Sequence, residues 1–527
     1  MARKRTLFFR RVQSLLRRLI KWLLPLLSLA IAVLIICLPI KTPLVSSAAP
    51  NESLLQQGKN FYDRAQYNDA VKVLHQAIST FETQADQLGK AIALSNLSLA
   101  YQQLGQWHKA EQALTTSLNL LPTAPNITAE SARIMAQTLD IRGRLQLKQG
   151  KTQAALSTWQ ETATLYRQLE DEAGIIRSQI NQAQAMSSLG VYFQAEKILT
   201  TTIGQLQNQP DSALKATAMR SLGNVWRALG NLERSRQILE QSLAIAKAAQ
   251  SPVSEILLSL GNTAIAQAKP QAALNFYQQA VSNTTSVSTR IQAQLNQLSL
   301  LGQAEPQAAS RLASQIESQL KSLPPSRTAI YARINLAENW QRLKQDNPKA
   351  VSNSKLVAIL TEARQQAEEL GDTPALGYAI GNLGEVYAES GQTQQALDLT
   401  QQALYWGQIV NDPSLNYRWQ WQLGKLQKAL GKTSEAIAAY TEAVNNLQEL
   451  RSNLVALDPK VQFYFRERVE PVYRQLVDLL LESEPSQANL VLARKTIESL
   501  QLLELENFLR QACLEPKAEI DNIVEDD

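Results

Sequence analysis

A spacing of about 40 residues recurs through most of the chain. The segment Gly381–Ala403 shows the repeating unit: Gly384 lies on the apolar face of one helix, Gly391 breaks that helix, and Ala396 lies on a second helix. Small residues allow two helices to approach closely, and larger residues fill the space between them. One helical hairpin of this kind cannot bury its own apolar face, so the sequence predicts an all-α stack of copies.

This pattern of small residues and turns recurs ten times along the chain. The short residue of the first helix is expected at Gly58, Ser98, Gly143, Ala183, Gly223, Gly261, Asn296, Ala337, Gly384 and Gly424. A turn is expected seven residues later, at Ala65, Gly105, Gly150, Gly190, Gly230, Ala268, Gln303, Lys344, Gly391 and Gly431. The small residue of the second helix is expected at Ala70, Ala110, Ala155, Ala195, Ser235, Ala273, Ala308, Ala396 and Ala436, and only the unit around Ala337 lacks one. Ten registers at one spacing are a much stronger signal than helical periodicity alone.

Three stretches carry a family pattern: Leu97–Tyr101 followed by Gly105, Ala110 and Pro122, then Leu222–Trp226, and Leu383–Tyr387. They resemble the tetratricopeptide repeat family, and the resemblance covers about residues 52–450. It implies a right-handed superhelical solenoid of about ten helix pairs, with a concave groove that binds a protein or peptide partner. It implies no reaction, because this fold serves many functions.

The first 49 residues differ from the rest of the chain in composition. Residues 1–50 hold nine Lys or Arg and no acid, and the uncharged run Trp22–Ile40 precedes the small residues of Val45–Ala49. This order is typical of a secretory signal peptide, and the run is also long enough for a membrane anchor. We therefore expect the chain to be exported to the periplasm or the exterior, or anchored with its repeats on the non-cytoplasmic side.

The positive charge of the chain comes from this leader. Without its nine cations the remaining Lys and Arg number 52 − 9 = 43 against 47 acids, which gives a net charge of −4. A nucleic-acid-binding surface needs a basic patch in the folded domain. The sequence therefore indicates no nucleic-acid partner.

Residues 451–527 are expected to form a helical cap, with amphipathic helices over Val461–Glu482 and Gln487–Cys513. The stretch Ala493–Leu514 resembles the region that precedes the domain in cyanobacterial CHAT domain-containing proteins. CHAT domains are caspase-like peptidases that use a His–Cys pair. The resemblance implies that this chain holds the repeats and the helices before such a peptidase, without the peptidase itself.

Few residues in the chain could support catalysis. The cysteines are Cys37, inside the leader, and Cys513, and the histidines are His75 and His108 in the first two units. The histidines lie in the first two units and Cys513 follows the tenth, so no nucleophile–base pair is expected. No metal-ligand spacing and no phosphate-binding glycine loop is present, so the sequence predicts a non-enzyme without cofactor or metal.

The groove is the better candidate for a site. Asparagines lie two residues before the short residue of the first helix, or one residue after it, at Asn96, Asn181, Asn224, Asn262, Asn335 and Asn382. The resemblance implies that asparagines at such places hydrogen-bond the backbone of a bound peptide, with neighbouring cations holding its carboxylate. Arg220 is the one cation directly before the first of these places. The alternative is that the asparagines stabilise packing between helices.

Overall fold

A computed structural model describes residues 50–122, 127–302, 304–453, 469–482 and 484–513. These residues form 22 helices and contain no strand, which confirms the all-α fold. Backbone contacts divide the chain at Gln57 into two units, and the contacts described below lie within residues 57–527. The predicted domain limits at 49, 51–450 and 451–527 stay predictions.

The helices up to Asn453 form ten consecutive pairs, one for each predicted unit. The pairs are α1 Pro50–Asp63 with α2 Tyr67–Thr83, α3 Gln87–Gln103 with α4 Trp107–Leu120, α5 Ala129–Lys148 with α6 Thr152–Gln168, α7 Glu172–Ser188 with α8 Tyr192–Leu206, α9 Ala213–Ala228 with α10 Leu232–Ala248, α11 Ser254–Ala266 with α12 Pro270–Ser282, α13 Val287–Leu301 with α14 Pro306–Leu320, α15 Arg327–Asp346 with α16 Asn353–Leu370, α17 Thr373–Glu389 with α18 Thr393–Val410, and α19 Pro413–Ala429 with α20 Thr433–Asn453. Among the described residues after Asn453, two further helices follow, α21 Glu470–Leu481 and α22 Gln487–Cys513.

Within a pair, the short residue of the first helix receives a large side chain from the second helix, sixteen residues later. A Cβ atom added at Gly143 would lie 2.6 Å from the Trp159 ring, and one at Gly424 would lie 2.7 Å from the Tyr440 ring. Burial of large apolar side chains is the main favourable term in folding, and it requires this close approach. The glycines of the repeat are therefore packing residues.

The turns between paired helices have a left-handed residue at most of the predicted positions. Backbone φ is positive at Ala65, Gly105, Gly150, Gly190, Gly230, Ala268, Gly391 and Gly431. A residue with positive φ ends a helix by redirecting the chain, and glycine adopts it without steric cost. The predicted turns are thus confirmed at eight positions.

Units seven and eight depart from the predicted register. Lys344 is not a turn residue, because α15 continues to Asp346. The buried small residue of α14 is Ala309 and not Ala308, one position later than in the other units. Gln303, the predicted turn of unit seven, lies outside the described residues.

The first helices lie on the concave side of the stack. Successive first helices contact each other directly, as in α3 with α5 and α15 with α17. Successive second helices among the described ones make at most marginal contacts. Elements that are closer together mark the inner side of a curved array, so the first helix of each unit faces inward, as the resemblance implied.

Distant units of the stack also touch. The Trp107 indole Nε1, at the start of α4, donates a hydrogen bond of 2.9 Å to the carbonyl oxygen of Pro325, which precedes α15. A Cβ added at Gly105 would lie 2.9 Å from Cδ of Pro325. We call the contact of Gly105 and Trp107 with Pro325 the latch. It joins unit two to unit eight across 218 residues.

The last two helices cover the end of unit ten. Val472 and Leu476 of α21 are fully buried in one cluster with Tyr440 of α20 and Ala493 of α22. Tyr440 donates a hydrogen bond of 3.1 Å to Gln475, and burial raises the pKa of the Tyr440 hydroxyl to about 12. A stack of repeats needs such closing elements, since its last unit has no following neighbour.

Candidate partner-binding face

The inner face carries a buried carboxylate between units three and four. Asp140 of α5 accepts hydrogen bonds from the Trp159 indole at 3.1 Å and from the Asn181 amide at 2.9 Å, and it pairs with Arg144 at 2.7 Å. Asp140 itself is 6% exposed, so these donors compensate for its lost hydration. Asn181 therefore bridges α7 to α5. This is packing between helices, the alternative to peptide binding that the sequence analysis gave for the asparagines.

A second bridge joins units six and seven. The Asn262 side-chain oxygen accepts hydrogen bonds from the Tyr277 hydroxyl at 2.8 Å and from the Asn296 amide at 2.9 Å. Tyr277 is the large residue that packs over Gly261. Asn262 thus links the second helix of its own unit to the first helix of the next unit, and its oxygen is already engaged.

The third and largest polar group lies on α15, α17 and α19. Arg418 donates hydrogen bonds to Glu338 at 2.7 Å, to Asn382 at 2.9 Å and to Glu385 at 3.4 Å. Asn382 is 0% exposed and also donates to the Tyr378 carbonyl at 2.8 Å. A buried ion pair requires this degree of hydrogen bonding to offset its desolvation. Asn382 has no surface to offer to a ligand, so we leave it out of the proposed groove.

Glu389 of α17 extends this polar group toward the end of the helix. Burial raises the pKa of its carboxyl, the nearby Glu385 raises it further, and Lys344 at 3.8 Å acts in the opposite direction. Desolvation and like charge both disfavour the ionised carboxylate. The Glu389 carboxyl is therefore harder to ionise than an exposed glutamate.

The other predicted site residues are partly exposed. Asn96 of α3 and Asn224 of α9 are half-buried on their first helices. Arg220 pairs with Glu255 of the next first helix at 2.9 Å. Their role in binding stays a prediction, and Arg220 has a partner within the chain.

Asn335 lines a small cavity between α13 and α15. The cavity has a volume of about 280 Å³, and its walls include Ile291, Leu295, Tyr331 and Arg327. Arg327 pairs with Asp372 at 3.0 Å and lies 5.3 Å from the centre of the Tyr331 ring. Its charge is thus already matched by an acid of unit nine.

Cations that the sequence did not single out lie on α5. Arg144 and Lys148 are four residues apart, both are exposed, and the Arg144 side chain is 48% accessible despite its bond to Asp140. Although the surface of Lys148 is exposed, the protein around it lowers the pKa of its ammonium by desolvation, and the charge of Arg144 lowers it further. Two neighbouring cations on an inner helix favour a partner that carries acidic groups. The sequence could have indicated Arg144 as a residue of the inner face, because it directly follows the short residue Gly143.

The residues considered for catalysis lie apart. The His75 imidazole makes a hydrogen bond of 2.8 Å to the Tyr101 hydroxyl, and His108 is exposed near the start of α4. The Cys513 side chain lies outside the described residues. Among the described residues no group of His, Cys, Asp and Glu could hold a metal ion.

Comparison with known families agrees with this architecture. Models described as Tetratricopeptide repeat match residues 93–127, 174–248, 214–286 and 419–445. These segments are tetratricopeptide repeats. The matched residues cover units two, four to six and ten, so the same helix pairs that the register predicts are recognised independently. No curated protein sequence matches the chain.

Three solved structures are similar to parts of this chain. A Rap protein complexed with competence and sporulation factor is 10% identical, with 69% of this chain and 99% of that chain covered and a TM-score of 0.45. BtubC from P. vanneervenii is 17% identical, with coverages of 41% and 87% and a TM-score of 0.34. A tetratricopeptide repeat protein from Parabacteroides merdae is 15% identical, with coverages of 51% and 93% and a TM-score of 0.37.

Within residues 50–513, apart from the gaps named above, every helix is too short or too polar to cross a bilayer. The predicted leader lies outside the described residues.

Proposed function

We propose that this chain is a non-catalytic scaffold that binds an extended peptide segment of a partner protein through the first helices of units two to five. Tetratricopeptide repeats fit protein–protein interaction, and the inner face supplies polar side chains for a peptide backbone. The observation that carries the proposal is the contrast along the stack. Asn96, Arg144, Lys148 and Asn224 keep accessible surface, whereas Asn382 of unit nine is buried within the chain's own polar group.

The charge of this face suggests the kind of segment that binds. Arg144 and Lys148 are the exposed neighbouring cations, so acidic side chains or a terminal carboxylate of the peptide would lie over α5. The amide of Asn224, on α9, would hydrogen-bond the peptide backbone further along the groove. Asn181 and Asn262 serve this face indirectly, because they hold neighbouring first helices in register.

A random-peptide display experiment tests the proposal. Peptides selected by the purified chain should be enriched in Asp and Glu, and the variant Arg144→Glu with Lys148→Glu should bind them at least tenfold more weakly, about 1.4 kcal/mol. Lys247→Glu on α10 is the matched control, because this exposed lysine lies on a second helix. Equal binding by the wild type and the double variant would contradict a site on α5.

We further propose that residues 1–49 direct the chain out of the cytoplasm. The support is the order of basic, apolar and small residues in the leader. Deletion of residues 1–49 should move a tagged chain from the membrane or exported fraction to the cytoplasm. An unchanged distribution after deletion would refute the proposal.

A second candidate function is the regulatory part of a CHAT-type peptidase encoded downstream. It rests on the resemblance of Ala493–Leu514 alone. In either case the chain itself should cleave no peptide, since cysteine catalysis needs a thiolate, a base and oxyanion donors in contact. Cleavage by the purified chain that disappears in Cys513→Ser would contradict both functions.

A further inference from the structure

The last two helices expose an unusual amount of apolar surface. Twelve large apolar side chains of the described chain are exposed, and six of them lie between residues 481 and 505. These six are Leu481, Leu490, Val491, Ile497, Leu502 and Leu505, with exposed fractions of 41–52%. The apolar surface is therefore concentrated at the end of the stack, away from the groove of units two to five.

The side of α22 opposite to these exposed residues packs against the rest of the chain. Ala493, Thr496, Leu500 and Leu503 are buried against the preceding helices, at the spacing of one helix face. The closing helix of a repeat stack needs a polar outer face for solubility. The outer face of α22 instead carries five exposed apolar side chains beside charged ones such as Arg494 and Glu498. Apolar side chains gathered on one exposed face are typical of an interaction surface.

Four residues of the outer face form a row that is complementary to itself. Leu490, Arg494, Glu498 and Leu502 follow each other at intervals of four, so they lie along one ridge of the helix. When a second copy of this row is placed antiparallel about a two-fold axis at the level of residue 496, each leucine meets a leucine and each Arg494 meets a Glu498. Two-fold interfaces require this self-complementarity.

We propose that the outer face of α22 joins two copies of this chain as an antiparallel helix pair. Leu490 packs against Leu502 of the second copy at both ends of the row. Arg494 and Glu498 are 74% and 61% accessible and pair within one helix at 3.4 Å, so they exchange this exposed contact for a partner across the axis. Ile497 and Leu505 flank the row and widen the apolar contact.

Charge reversal with sedimentation velocity tests the pairing on the full chain in mild detergent. Arg494→Glu and Glu498→Arg each place two like-charge pairs across the axis, so each should raise the dimer dissociation constant at least tenfold. The double variant with both changes restores opposite charges across the axis. It should therefore dimerise as the wild type does, although neither single reversal does.

Arg236→Glu on α10 is the matched control, since Arg236 and Glu240 form a similar exposed pair at 2.7 Å. This variant should dimerise as the wild type does, and circular dichroism should show that all variants are folded. A wild-type chain that stays monomeric at every concentration would overturn the proposal, and a different partner would then cover α22. A dimer unaffected by both single reversals would overturn it as well, because association would then use the leader or another surface.

Discussion

At the scale of single residues, Gly143 illustrates how the repeat depends on the absence of a side chain. The Trp159 ring occupies the place where a Cβ would stand, and Trp159 also holds Asp140 through its indole. Periodicity identified Gly143 as a packing position, because a small residue recurs there in nearly every unit. Periodicity could not identify Asp140, since a buried acid does not recur at this position in the other units. Its partner Asn181 also belongs to the next unit.

Gly143→Val should therefore destabilise the chain. The added side chain would have to displace a buried indole, and overpacking of this kind costs about 2 kcal/mol or more. Gly204→Ala is the matched control, because Gly204 lies in α8 with open space around it and alanine there should stabilise by about 0.5 kcal/mol. Urea unfolding measures both changes, and a neutral effect of Gly143→Val would show that α5 and α6 can separate without loss.

At the scale of elements, the helix pairs were predictable and the irregular unit was only partly so. The predicted turn at Lys344 lies inside α15, which continues to Asp346, because this helix lacks a glycine to stop it. The chain then runs through Asn347 before α16 begins at Asn353. The start of α17 depends on Asp372, whose carboxylate accepts a hydrogen bond of 3.2 Å from the Ala375 backbone N–H.

Asp372 makes the stability of this helix junction depend on pH. Burial raises the pKa of its carboxyl, and the charge of Arg327 and the Ala375 N–H oppose that shift incompletely. The folded state thus favours the protonated acid. The corresponding stability is present below about pH 4, the pKa of an unfolded Asp, and is lost as pH rises through the higher folded pKa.

Asp372→Asn should remove this pH dependence, because asparagine caps a helix as well as aspartate does and carries no charge. The melting temperature of the variant relative to wild type should therefore increase as the pH is raised from 4 to 7. Asp372→Ala removes the cap as well as the charge and should be less stable than Asp372→Asn by about 1 kcal/mol at every pH. A difference between Asn variant and wild type that falls with rising pH would contradict the stated direction of the pKa shift.

At the scale of the whole stack of repeats, the latch shows what the sequence alone could not predict. Each helix pair follows from local periodicity, but the contact of Trp107 with Pro325 depends on the curvature accumulated over the units between them. Small rotations per unit add up along a stack, and no residue pattern reports their sum. The same holds for Arg418, whose partner Glu338 lies two units earlier.

Removal of the latch should therefore let distant units separate while each helix pair stays folded. Trp107→Ala deletes the hydrogen bond to Pro325 and the apolar contact of the indole with the core of units seven to ten. Spin labels at the exposed positions His108→Cys and Ser322→Cys, in a background with Cys37→Ser and Cys513→Ser, report the distance across the latch by double electron–electron resonance. The unmodified latch should give one narrow distance, and Trp107→Ala should broaden it toward longer distances.

The exposed aromatic Tyr405 on α18, with 58% of its surface accessible, provides the control for this measurement. Tyr405→Ala should leave the narrow distance unchanged. Circular dichroism should show full helicity in both variants, because packing within a unit involves sequence neighbours and does not use the latch. A narrow distance that survives Trp107→Ala would mean that the curvature of the intervening units alone holds unit two against unit eight.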